Sequence, residues 1–91
     1  MRLARRYVIS GRVQGVGFRW FTVEAAAREG LHGWVRNTPD GGVEIRAEGE
    51  AESLERFERA ISYGPPQARV HQVDVTDLAV DGRETGFAAV S

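Results

Sequence analysis

Alternating apolar and polar positions mark the strands of this 91-residue chain, and a three-to-four spacing marks its clearest helix. Tyr7 and Ile9 fall on one face and Val8 and Ser10 on the other, so residues 5–12 read as a strand. Val43, Ile45 and Ala47 alternate with Glu44, Arg46 and Glu48, the pattern of a half-buried strand over 43–48. Residues 31–38, carrying Trp34 and Val35, read as a strand between these two. Within residues 70–80, Val73 and Val75 alternate with Gln72, Asp74 and Thr76, which makes a fourth. Phe87 to Val90 is a candidate short final strand. Over residues 50–63, Leu54, Phe57 and Ile61 form one helical stripe. Glu50 and Glu52 stand in its first turn, where carboxylates complement the macrodipole. Glu52 with Arg56, and Glu55 with Arg59, have i,i+4 spacing for ion pairs. Phe18 to Glu29 reads as another helix, with Phe21, Ala25 and Leu31 toward its buried side and Gly30 at its C-terminal stop.

Turn residues separate these elements. Thr38-Pro-Asp-Gly-Gly signals a hairpin, Gly64-Pro-Pro ends the second helix, and Asp81 to Gly86 reads as a loop. The resulting order is strand, helix, strand, strand, helix, strand, with one extra strand at the end. That order predicts an α+β fold: a ferredoxin-like βαββαβ sandwich with a mainly antiparallel sheet and two helices on one face. No repeat, low-complexity stretch or linker divides the sequence, so residues 3–91 are expected to form a single domain.

Composition removes several function classes. There is no cysteine, which excludes disulfides and thiolate chemistry. The formal net charge is −1 and no basic tail is present, so nothing favours nucleic acid or an anionic membrane as partner. No apolar run approaches a membrane span or a signal-peptide core. A cytoplasmic monomer is the default expectation. His32 and His71 are far apart in sequence and lack cysteine or clustered carboxylate partners, so no metal site is expected. Trp20 and Trp34 are expected to serve packing rather than base stacking.

The run Gly11-Arg-Val-Gln-Gly-Val-Gly-Phe-Arg19 sits where a strand passes into a helix. Helix starts expose unpaired N–H groups and a partial positive charge, and glycines let the chain curl into a nest of such groups. Arg19 adds a fixed charge and a planar fork of donors. An arginine in the first turn opposes the macrodipole, so helix stability does not account for it; an anion between the two would. The plainer alternative is a glycine-rich turn with a solvated arginine. No Gly-Lys-Ser/Thr follows, so the run is not a nucleotide P-loop. Asn37, at the end of the second strand, is a candidate neighbour of Arg19; its plainer alternative is an asparagine that starts a turn.

Gly11 to Arg19, together with Gly33-Trp-Val-Arg-Asn-Thr38, resembles the two signature segments of the acylphosphatases. Gly41-Gly-Val-Glu44 and the helix around Leu54 and Phe57 resemble the third strand and second helix of that family. The resemblance implies hydrolysis of carboxyl-phosphate anhydrides to a carboxylate and inorganic phosphate, with no metal or other cofactor. It implies a phosphate-binding loop on Arg12, Val13, Gln14, Gly15, Val16, Gly17 and Phe18. It makes Arg19 the catalytic arginine and Asn37 the residue that orients water. The partners implied are a small acyl phosphate, and inorganic phosphate as product and inhibitor. The ending Phe87-Ala-Ala-Val-Ser91 departs from the aromatic ending of many members.

The residue inventory fits that chemistry. Neither segment offers a general acid. An acyl phosphate leaves as a carboxylate, whose conjugate acid has a pKa of about 4, and so departs unaided at neutral pH. Two other readings compete. RNA-recognition domains share the element order, but their third strand carries stacking aromatics, and Val43-Glu-Ile-Arg-Ala-Glu48 has none. An acylphosphatase-like module that binds anions with little turnover is the nearer alternative.

Overall fold

The computed structural model describes residues 1–83 and 85–91. Its elements follow as β1 (Arg2–Arg12), α1 (Phe18–Arg28), β2 (His32–Asn37), β3 (Val43–Glu50), α2 (Ala51–Tyr63), β4 (Arg69–Leu78) and β5 (Phe87–Val90). One sheet runs in the order β4-β1-β3-β2-β5. The first four strands are antiparallel to their neighbours, and β5 lies parallel to β2. This is the ferredoxin-like α+β arrangement, with a fifth strand that makes the sheet mixed.

Both helices cover one face. Tyr7 and Ile9 of β1, Val35 of β2, and Val43, Ile45 and Ala47 of β3 meet Leu54, Phe57 and Ile61 of α2 in one buried cluster. The Tyr7 ring meets Phe57 edge-on at 5.9 Å. From α1 the cluster takes Phe18, Ala25 and Ala26, and Thr22 is buried beside them. Phe21, expected on the buried side, is only half-buried. Thr22 occupies the inward position instead and satisfies its hydroxyl by donating to the Phe18 carbonyl at 2.8 Å. At Gly33 the strands approach so closely that a Cβ would lie 1.8 Å from the Arg46 carbonyl oxygen. With φ at +146°, no other residue fits there.

The helix-free face departs from a simple polar exterior. Glu44 and Glu48 are buried. Arg6 from β1 and Arg36 from β2 reach Glu44 from both sides, each with a closest N···O distance of 2.5 Å. Glu48 accepts from Arg2 at 3.0 Å, from Arg46 at 3.3 Å, and from the backbone N–H groups of Asp81 and Gly82 at 3.3 and 3.1 Å. Arginine heads thus bind both carboxylates. Strands β4 and β5 lie at opposite edges of the sheet, so the chain between them must cross it. Glu48 and Arg46 hold that crossing at residues 79–82. On α2, Arg56, expected to pair with Glu52, reaches Glu29 at the C-cap of α1 at 2.8 Å instead, and Arg5 of β1 reaches Glu58 at 3.7 Å.

Burial alone would push the Glu44 and Glu48 carboxyls up, but the arginines and, at Glu48, two backbone N–H groups outweigh it and hold both below the ordinary 4.5. A carboxyl whose folded pKa is depressed binds its proton more readily when unfolded. The stability it lends is complete above the unfolded value of about 4.5 and is lost as pH falls through the lower folded value. Glu48→Gln removes the charge that Arg2, Arg46 and the crossing were built around. Because Arg2 regains water, the expected loss is about 3 kcal/mol, the low end for a broken buried pair. Urea unfolding at pH 7 measures it, and the same titration repeated toward pH 3 should show a shallower acid loss in the variant than in the wild type.

Candidate anion site at the start of α1

Strand β1 leaves the sheet after Arg12, and the chain regains regular structure at Phe18. Val13 and Phe18 are both buried and pin the two ends of the intervening loop. Gly15 and Gly17 take left-handed backbone, at φ +74° and +79°. That conformation costs side-chain-bearing residues energy, which accounts for glycine at both positions. Gly17 is the N-cap of α1 and supplies no capping side chain, and the first turn carries no acidic residue. The first α-helical bond runs from the Phe21 N–H to the Gly17 carbonyl at 3.0 Å. The N–H groups of the first turn therefore have no partner within the helix.

Gln14 ties this loop to the β2–β3 hairpin. Its side-chain amide donates to the carbonyls of Thr38 at 2.8 Å and Gly42 at 2.9 Å. The hairpin is closed by the Thr38 N–H donating to Gly42 at 3.0 Å and the Gly41 N–H donating to Thr38 at 3.1 Å. The Thr38 hydroxyl also donates to Asp40, which, with the Gly42 N–H, holds that carboxyl below its usual range. The hairpin begins where β2 ends, at Asn37.

Asn37 and Arg19 line one hollow of about 230 Å³, together with Val13, Gly15, Gly17 and Phe18. Trp20 lines it as well and is 68% exposed. A water occupies roughly 30 Å³ in the liquid, so the hollow has room for a small polyatomic ion. Arg19 is exposed and donates from Nη1 to the Val90 carbonyl at 3.4 Å. Arg12, Gln14 and Val16 do not line the hollow. Arg12 is exposed at the end of β1 opposite Arg69, and Val16 packs half-buried against the core. Among the described residues no carboxylate or imidazole lines the hollow. Its chemistry is a cation, a carboxamide and helix-start N–H groups, which suits an anion and offers no proton donor of ordinary acidity.

Two features went unread in the sequence. Gln14 binds carbonyls of a hairpin more than twenty residues further along the chain, and spacing carries no signal for that. The exposure of Trp20 did have a signal. Two residues along a helix is a turn of roughly 200°, so an inward Phe18 puts Trp20 outward.

The chain is similar to known proteins along nearly its whole length. A family model described as Acylphosphatase matches residues 5–89. A protein of Koribacter versatilis named Acylphosphatase is 51% identical over 83 residues, covering 91% of this chain and 76% of that one. One of Methylococcus capsulatus with the same name is 48% identical over 83 residues, covering 91% and 90%. The crystal structure of acylphosphatase from Bacillus subtilis superposes with a TM-score of 0.94 at 40% identity, covering 98% of this chain and 99% of that one.

The Gln14 tie has a measurable worth. In Gln14→Ala both carbonyls keep their backbone donors, so neither is orphaned. The expected loss is about 1–2 kcal/mol for two hydrogen bonds, read by urea unfolding.

Proposed function

The chain belongs to the acylphosphatase family, and we propose on that premise that it hydrolyses the carboxyl–phosphate bond of small acyl phosphates. The observation that carries this reading is the shared hollow: Arg19 and Asn37 line one space beside a helix start that holds neither an acid nor a capping side chain. The phosphoryl oxygens sit against the loop N–H groups and the Arg19 guanidinium, which bind the charge that must be held while the group transfers. Asn37 holds the attacking water through its carboxamide. The water oxygen bonds to phosphorus as the bond to the carboxylate oxygen breaks. The carboxylate leaves with the electron pair, and the proton of the water passes to a phosphoryl oxygen. No general acid is required, because a carboxylate is a stable leaving group at neutral pH.

The same reading extends to the setting of the protein. Residues 3–91 act as one domain: the buried cluster and the side chains packed on it draw from all seven elements. All the site's residues come from one chain, which suits a monomer. Among the described residues no helix is long and apolar enough to cross a membrane. A chain without cysteine suits the reducing cytoplasm. Its partners are the acyl phosphate and inorganic phosphate, and neither a metal nor nucleic acid takes part.

Phosphate release from benzoyl phosphate in the presence of EDTA, followed by ultraviolet absorbance, tests the activity and its metal independence together. Arg19→Gln is expected to lose at least about 10²–10³ in kcat/KM, the cost of one well-placed donor to developing charge. Asn37→Ala should lower kcat with little change in KM, and full retention of kcat would remove its water-holding role. Inorganic phosphate should inhibit competitively. A wild-type protein that binds phosphate yet releases none from benzoyl phosphate would be an anion-binding module instead.

A further inference from the structure

We propose that an apolar shelf beside the phosphate hollow holds the acyl group of the substrate, and that Trp20 on this shelf makes the enzyme prefer aromatic acyl phosphates over acetyl phosphate. The proposal rests on the acylphosphatase reading above and names the substrate class of that same site.

Trp20 is 68% exposed on the first turn of α1. It takes no part in the buried cluster, to which α1 contributes through Phe18, Ala25 and Ala26. A tryptophan buries a large apolar area when it packs, and leaving it in water forgoes that gain. Neither packing nor helix propensity explains an indole at this position. Its surroundings do. Arg19, Trp20, Val23 and Ala89 line a second hollow of about 400 Å³. This space shares Arg19 and Trp20 with the phosphate hollow, so the two adjoin at those side chains. Arg19 apart, its lining is apolar: an indole, an isopropyl group and a methyl.

The chemistry of the substrate fits that layout. In an acyl phosphate a single oxygen links phosphorus to the carbonyl carbon. With the phosphoryl group against Arg19, the acyl chain must begin within a few bond lengths of the same guanidinium. The shelf lies beside that same guanidinium. An aromatic acyl group lies against the indole there, whereas a methyl group reaches little of it. Ala89 reaches the shelf because β5 runs alongside β2, so the C-terminal strand contributes to substrate choice as well as to the sheet.

The test compares kcat/KM for benzoyl phosphate and acetyl phosphate in the wild type, Trp20→Ala and Trp20→Phe. The ratio of benzoyl to acetyl should fall about three- to tenfold in Trp20→Ala, the range of an aromatic pair, chiefly through a higher KM for benzoyl phosphate. Trp20→Phe, which keeps a ring, should restore most of the ratio. Benzoate should compete with benzoyl phosphate more strongly than acetate does in the wild type, and lose that advantage in Trp20→Ala. Equal losses on both substrates, with the ratio unchanged, would overturn the shelf while leaving the activity standing. Turnover of neither substrate by the wild type would overturn the activity, and the shelf with it.

Discussion

A loop that owes its shape to missing side chains must be held by its surroundings. The turn from β1 into α1 needs left-handed backbone at Gly15 and Gly17, and glycine is also the residue that loses most freedom on being fixed there. Three contacts outside the turn hold it: the buried side chains of Val13 and Phe18 at its ends, and the Gln14 amide on the carbonyls of Thr38 and Gly42. The Gln14 contact does more than order the loop. It binds the segment that presents N–H groups to the hairpin whose first strand ends in Asn37, so donors and carboxamide are set in one frame.

Glu48 contributes to the same frame from the other side of the sheet. A buried carboxylate on the helix-free face is stable only because Arg2, Arg46 and two backbone N–H groups surround it. Two of those donors belong to the chain crossing from β4 to the far edge. That crossing lets β5 pair in parallel with β2, which places Ala89 and Val90 beside Arg19. A charge cluster that touches no part of the hollow therefore supports the strand on which the Arg19 guanidinium rests.

Legibility followed the range of the interaction. The stripe of Leu54, Phe57 and Ile61 and the alternation along β1 and β3 are local patterns, and both predicted their elements to within a few residues. The two signature segments carried Arg19 and Asn37 together, and the hollow contains both. What stayed hidden depends on partners far along the chain. Glu44 and Glu48 looked solvent-facing, because nothing in residues 43–48 announces arginines waiting on neighbouring strands. The pairing of β5 with β2 depends on a crossing over the sheet that no alternation encodes. The inward face of α1 was misread because a threonine satisfies its hydroxyl within the helix and so takes a core position that a hydropathy pattern gives to Phe21.

The arginines divide into two kinds by what surrounds them. Arg2, Arg6, Arg36 and Arg46 are committed to Glu44 and Glu48, and Arg56 to Glu29. Arg19 has no carboxylate partner among the described residues, and its contact with the Val90 carbonyl is long at 3.4 Å. It also stands at the helix end where the macrodipole repels a cation, a cost of roughly 0.3–1 kcal/mol. Dipole and guanidinium thus keep the hollow positive in the resting protein, and both gain when an anion enters. A nearby carboxylate would relieve the repulsion permanently and compete with the phosphoryl group for the same donors. The lack of acidic side chains around the hollow among the described residues is for that reason a condition of anion binding, and the proposed reaction tolerates it because the departing carboxylate asks for no proton.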